Sequence, residues 1–172
     1  MLCRKPLLLF AALLCTGSVW AQNSASVRLG FLGNFARYVD WPETALRPGM
    51  PLRLCLAPGD ADMAAQLGDL SSQAVNGRPV QARQVVRPAD ASGCHLVFLP
   101  AETPGSLAAW LAAAKQTGAL TVGDLPDFVD AGGMIGLVSV GGRYRFDLNL
   151  GVARQAELRF SSQMLKLART VK

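Results

Sequence analysis

Residues 134–140 and 143–148 form two extended arms around Gly141 and Gly142, the pattern of a β-hairpin. Successive strand side chains alternate between faces. Tyr144, Phe146 and Leu148 therefore share one side of the second arm, and Arg143, Arg145 and Asp147 the other. A hairpin demands an antiparallel pair. The segments before it follow another rule: strands at 52–57, 79–86, 95–99 and 119–122 alternate with helices at 61–70 and 106–116. Such alternation builds parallel strands joined by crossover helices. Together the two patterns predict a single α/β domain with a mixed, mostly parallel sheet flanked by helices. Val27, Phe31, Phe35 and Tyr38 add a first helix that ends near Asp40, because Pro42 disfavours helical geometry at Trp41. Asn76 and Gly77 read as a turn, 127–131 as one helical turn stopped by Gly132 and Gly133, and Asn149 as the cap of another. Ser161 or Ser162 opens a last helix to about Thr170.

The first 21 residues stand apart. Arg4 and Lys5 precede an uncharged apolar run at 7–19, and Val19, Trp20 and Ala21 suit a processing site. This predicts a secretory leader cleaved after Ala21, an exported periplasmic product and a domain over 22–172. The apolar run is shorter than the roughly 20 residues that span a bilayer. Hydrophobic residues make up 51% of the chain and charged ones 17%, which excludes a disordered chain. The formal charge is +5. Without the leader, 15 basic residues face 12 acidic ones with no basic stripe, so no nucleic-acid partner is expected.

Cys55 and Cys94 remain after processing, an even pair in an oxidising compartment. They read as a disulfide closing a loop of about 40 residues, with two free thiols as the alternative. Two cysteines and the lone His95 make a poor zinc set. Cys94 and His95 are strand neighbours that point to opposite faces, and no second histidine could act as a base. Neither glycine pair carries a phosphate-loop ending. Asp124 and Asp127 lack a third ligand and read as capping or loop carboxylates. No catalytic residue, metal or cofactor is expected. The candidate partner-binding residues are Arg37, Tyr38 and Trp41 at the end of the first helix, and Arg143 and Arg145 on the polar side of the hairpin. Tryptophan, tyrosine and arginine are common interface anchors. Core packing competes for Tyr38 and Trp41, and plain solvation for the arginines.

Eight short motifs occur in one order: FARYVDWP at 35–42, LRLCLAPGD at 52–60, GRPV at 77–80, CHLVFL at 94–99, LTVGD at 120–124, GGMIGLV at 132–138, RFDLNL at 145–150 and SSQMLKLAR at 161–169. Behind a leader, this order resembles the YfiR-like family of periplasmic proteins. The resemblance implies a small α/β domain that represses an inner-membrane diguanylate cyclase, YfiN, by binding its periplasmic sensor domain. Cyclic di-GMP and biofilm matrix output then stay low. It further implies a homodimer, a possible sequestering partner in the outer-membrane lipoprotein YfiB, and redox sensitivity through cysteine pairing. Some relatives carry a further cysteine pair near the GGM segment. Here Phe128, Met134 and Leu137 occupy that neighbourhood, so one pair must carry any redox effect. A periplasmic small-molecule binding module is the alternative reading.

Overall fold

The computed structural model describes residues 24–172; the expected leader and its cleavage after Ala21 lie outside the described residues. The hydrophobic runs form the interior of an eight-stranded sheet. In chain order the elements are α1 (Ser24–Arg37), β1 (Val39–Asp40), β2 (Leu52–Leu56), α2 (Ala61–Ala65), α3 (Leu67–Ser71), β3 (Ala74–Val75), β4 (Arg78–Gln84), a 3-10 turn (Pro88–Ala91) and β5 (Leu96–Leu99). They continue with α4 (Leu107–Thr117), β6 (Leu120–Gly123), β7 (Ile135–Val140), β8 (Arg143–Leu148), α5 (Leu150–Gln155), β9 (Arg159–Phe160), α6 (Ser162–Leu167) and β10 (Thr170–Val171).

The sheet order is β10-β8-β7-β6-β5-β2-β4-β3. Strands β4, β2, β5, β6 and β7 are parallel neighbours, and β10 is parallel to β8. The β7–β8 and β3–β4 pairs are antiparallel hairpins. This is the mixed, mostly parallel sheet that the sequence predicts. The β3–β4 turn uses Asn76 (φ 51°) and Gly77 (φ 74°), and the β7–β8 turn uses Gly141 (φ 56°) and Gly142 (φ 74°). Two successive left-handed residues match the twist of a tight hairpin, and Gly and Asn adopt that conformation at least cost.

The period of two sorts side chains between two cores. Leu52, Leu54, Leu56, Leu96, Phe98, Leu120, Val122, Ile135, Leu137, Phe146 and Leu148 face the larger core, packed with residues of α1, α2, α3, α5 and α6. Cys55, Val97 and Leu99 face a smaller core with Trp110 and Ala114 of α4, Ala91 and Phe128. Cys55 and Cys94 are joined by a disulfide inside it, with a Cα–Cα distance of 6.0 Å.

Several boundaries differ from the sequence reading. The first helix, expected to end near Asp40, stops at Arg37, and Val39–Asp40 is extended because it pairs with β9. The helix expected over 61–70 breaks at Gln66, whose N–H bonds to Met63 O at 3.2 Å. The bend keeps Met63, Leu67 and Leu70 buried in one core. The last helix stops at Leu167 because Arg169 is drawn to β8: its N–H bonds to Phe146 O at 2.8 Å, and its guanidinium pairs with Asp147. The final residues then add β10 to the sheet. Strands β1 and β9 form a separate two-stranded ribbon, Val39 opposite Phe160 and Asp40 opposite Arg159.

Candidate functional sites

The β1–β9 ribbon builds the first candidate site. With α1 ended at Arg37, Trp41 follows β1 and packs partly buried against the larger core. Its Nε1 donates to the His95 carbonyl at 3.3 Å. The indole thus anchors the chain while its remaining surface lines a groove of about 670 Å³ with Pro42, Leu158, Arg154 and Arg159. Asp40, Glu43 and Glu157 complete the rim. Arg37 is exposed, and Tyr38 retains 36% exposure beside this ribbon. Glu157 adopts φ 58° where α5 ends: its N–H bonds to Arg154 O at 3.0 Å and Leu158 N–H to Ala153 O at 2.9 Å. This left-handed cap reverses the chain after α5 and so brings Arg154 and Arg159 to one groove. Sequence reasoning missed both arginines, because a two-residue strand has no periodicity to read.

Behind Trp41 lies His95, 4% exposed. Its Nδ1 accepts from the Arg53 backbone N–H at 2.9 Å, which places the ring proton on Nε2, 3.2 Å from Ala45 O. The neutral ring is therefore fully bonded. Burial first, and the nearby Arg53 charge second, hold its pKa below the ordinary histidine value. The histidine pins the loop before β2 to the amino end of β5; it faces no nucleophile, since Cys94 is consumed in the disulfide.

Arg143 and Arg145 occupy the other end of the sheet. Trp41 meets the residue just before β5, whereas β7 runs past the last residue of β6 and carries the hairpin tip away from the carboxyl ends of the parallel strands. Arg37 and Tyr38 stay outside the groove that Trp41 lines, with the Arg37 carbonyl held by Asn76, and Arg143 and Arg145 are set apart from all three. Both hairpin arginines are exposed. Asp147, on the same strand face, is 7% exposed and pairs with Arg169, whose hydrogen bond holds the carboxyl below the usual carboxylate range.

Between these ends, at the carboxyl edge of the sheet, Arg28 of α1 bridges two acids. Its guanidinium lies 2.5 Å from Asp60 and 2.7 Å from Asp124. Asp60 also caps α2 through Met63 N–H at 2.8 Å, and Asp124 accepts from Ala101 N–H at 2.6 Å. Burial alone would lower the Arg28 pKa; the Asp124 hydrogen bond and the two carboxylate charges outweigh it, and the pKa is raised. The crevice where β2 leads one way to β4 and β5 the other way to β6 is the usual ligand position of open α/β sheets. Here Gly59 (φ 122°) sits so close to the backbone of Glu102 and Thr103 that a Cβ would fall 2.6 Å from Glu102 C. Backbone and ion triad fill that place. Asp124, read from sequence as a capping or loop carboxylate, is thus part of a clamp; its position straight after a buried strand was the available signal. Among the described residues, no group of three or more His, Cys, Asp or Glu is placed to hold a metal ion. No helix among them is long and apolar enough to cross a membrane.

The family model described as YfiR/HmsC-like matches residues 25–169, almost all of the described chain. Among solved structures, a conserved domain protein from Vibrio cholerae O1 biovar El Tor is similar, with a TM-score of 0.53 and 14% identity. The match covers 86% of this chain and 60% of that one, so the chain spans about 60% of its length. At that identity the likeness speaks for the fold alone. No curated protein matches.

Proposed function

Since the chain belongs to the YfiR/HmsC-like family, a family of periplasmic regulators of diguanylate cyclase signalling, we propose that it is a periplasmic, non-enzymatic repressor of an inner-membrane diguanylate cyclase. The match over residues 25–169 carries this reading. The repressor binds the periplasmic sensor domain of the cyclase and lowers cyclic di-GMP and biofilm formation. The chemistry of the described sites supports it. His95 is fully bonded, both cysteines of the domain are oxidised, and the Arg28 triad is internally neutralised. None of these groups is left poised for reaction, whereas two solvent-open grooves at opposite ends remain for recognition.

Repression by binding is a population shift: the repressor must prefer the inactive state of the cyclase over the active one. Holding activity at about one hundredth of an evenly poised enzyme takes a preference of about 2.7 kcal/mol. One or two well-buried aromatic or arginine anchors supply that amount. Deleting the gene should raise cyclic di-GMP only in strains that carry the partner cyclase. Unchanged cyclic di-GMP, with both genes expressed, rejects the regulator.

One observation favours the alternative of a small-molecule binding module. The Trp41 groove, at about 670 Å³, falls within the size range of ligand pockets and combines an aromatic wall with Arg154 and Arg159. A saturable change in Trp41 fluorescence with periplasmic metabolites, lost in Trp41→Phe, would promote that reading.

A further inference from the structure

The outer half of the β7–β8 hairpin is a ribbon with open edges. Strand β6 pairs with β7 only at Ile135 and Gly136, and β10 pairs with β8 at Asp147 and Leu148. Beyond them, residues 138–140 and 143–145 pair only with each other. Unpaired edges of this kind are templates for another extended segment unless they are blunted.

The two faces of the ribbon are unlike. On one, Tyr144 and Phe146 meet Phe31 and Phe35 of α1, with ring centroids between 5.1 and 6.4 Å apart. Edge-on aromatic packing of this kind braces the ribbon against the body of the domain. On the other face Val138 is half-buried, and Val140, Arg143 and Arg145 are exposed. The register sets Val138 opposite Arg145 and Val140 opposite Arg143, so all four side chains share this face. Val140 keeps 49% exposure. Among the described residues, neither arginine side chain has an ion-pair or hydrogen-bond partner. Three of the four neighbouring acids are engaged, Asp147 with Arg169, Asp130 with Lys172 and Asp124 with Arg28, while Asp127 on the opposite wall is exposed. Val138 and Val140 floor a groove of about 600 Å³ between the 124–130 loop and Asp147, Arg169 and Lys172; Arg143 and Arg145 stand just outside its lining, beside the two valines.

We propose that this ribbon face is the docking surface for an extended, acidic protein segment with small apolar anchors. The segment lays apolar residues on Val138 and Val140 and carboxylates on Arg143 and Arg145. It adds its backbone to an open edge, a recognised mode of peptide capture. Charge fixes its direction: carboxylates sit toward the hairpin tip, because the opposite wall carries the exposed Asp127. A rigid ribbon does not have to be ordered on binding, which spares part of the usual entropic cost. The identity of the segment's owner, the periplasmic domain of the partner cyclase, rests on the regulator reading above.

The test titrates that purified periplasmic domain into the isotope-labelled mature chain and follows backbone amides by NMR. The expected footprint lies at residues 137–146. Arg143→Glu with Arg145→Glu should weaken binding by at least about thirtyfold, while the paired lysine variants stay close to wild type at low salt. Both sites are exposed, and an unchanged melting temperature confirms folding. A footprint on the Trp41 groove, or charge-reversed protein that binds normally, overturns the assignment. So does a chain whose own dimerisation is lost in the charge-reversed form, since the occupant would then be a second copy. If gene deletion leaves cyclic di-GMP unchanged, the regulator reading falls and a synthetic peptide alternating Glu and Val replaces the domain as probe. A footprint at 137–146, absent with the matching Lys and Val peptide, then sustains the surface; equal behaviour of the two peptides overturns it.

Discussion

The two faces of the sheet are covered by very different means. One face carries five helices, α1, α2, α3, α5 and α6, and a continuous apolar layer from Val80 of β4 across to Leu148 of β8. The other carries one long helix, α4, with the disulfide and the Phe128 loop, and it covers only the middle of the sheet. Phe128 needs its own accommodation there, since a Cβ on Gly123 would fall 2.6 Å from its ring. On the crowded face the buried strand residues have a structural reason to be apolar. On the thin face cover ends at β7, where Val138 is half-buried and Val140, Arg143 and Arg145 emerge into solvent. Burial explains the first set of residues and leaves the second to be explained by recognition.

The largest effect expected from this asymmetry is in the crowded core. Phe98 is fully buried among side chains from several elements. Phe98→Ala should cost about 3–5 kcal/mol of unfolding free energy, the upper part of that range being expected where many elements hold a cavity open. Trp110→Ala on the thin face should fall at the lower end, because α4 alone can settle onto the sheet. Urea unfolding of both variants measures the difference; a costlier Trp110→Ala would break the comparison.

The disulfide compensates for the sparse cover. Cys55 and Cys94 lie 39 residues apart and are both buried in the smaller core. Replacing both by alanine should cost up to about 4 kcal/mol, from the loop-closure entropy returned to the unfolded chain. Reduction of the wild type should lower its melting temperature to match. Equal melting temperatures in oxidised and reduced protein would show that the thin face needs no staple.

Much of this was legible in the sequence and some was not. The hairpin, the strand order of faces at Leu54, Leu56 and Cys55, and the α4 stripe of Trp110 and Ala114 follow from periods of two and 3.6. The caps at Asp60, Asn149 and Ser161 follow from side-chain chemistry, each accepting the backbone N–H three residues on. Strands β1, β9 and β10 are two residues each, too short to show any period, and their partners lie far away in sequence. The Trp41 groove depends on the β1–β9 pair, so Arg154 and Arg159 stayed invisible beside a correctly noticed tryptophan. Arg28, on a helix read only for its apolar stripe, gave no sign of two acid partners that come from the cap of α2 and the end of β6. Arg143 and Arg145 were visible as an alternating pair, but their lack of partners is a property of the fold.

A smaller effect separates the two ends of the sheet through pH. The neutral His95 ring is held at both nitrogens, and protonation would set a second N–H against that of Arg53. Its folded pKa lies below the ordinary 6.5, from burial first and the Arg53 charge second. Between the two pKa values the unfolded chain binds more protons, so stability rises with pH there. Stability is fully present above about pH 6.5 and declines as pH falls below it toward the folded pKa. Unfolding midpoints measured across that range should fall on acidification. In a His95→Gln variant the portion due to this ring should vanish. Protection of the loop amides before β2, relative to their intrinsic exchange rates at each pH, should fall with acid in the wild type while protection of the hairpin arm is unchanged.

The smallest effect is the most informative about the ribbon face. Val140 is half exposed, no strand flanks it beyond β8, and it belongs to neither apolar core. Val140→Thr keeps the β-branched shape that a strand favours and replaces one solvent-facing methyl by a hydroxyl. Such an exchange at an exposed site should change unfolding free energy by less than about 0.5 kcal/mol. Phe146→Ala, on the opposite side of the same strand and 7% exposed against Phe31 and Phe35, should cost several times more. Matched urea titrations of the two variants decide the point. A costly Val140→Thr would mean that the ribbon face is buried in the working protein, by a second copy or by chain packing, and that its apolarity serves stability. A neutral one leaves Val140 without a role in folding. Its place beside two unpaired arginines is then explained by what binds there.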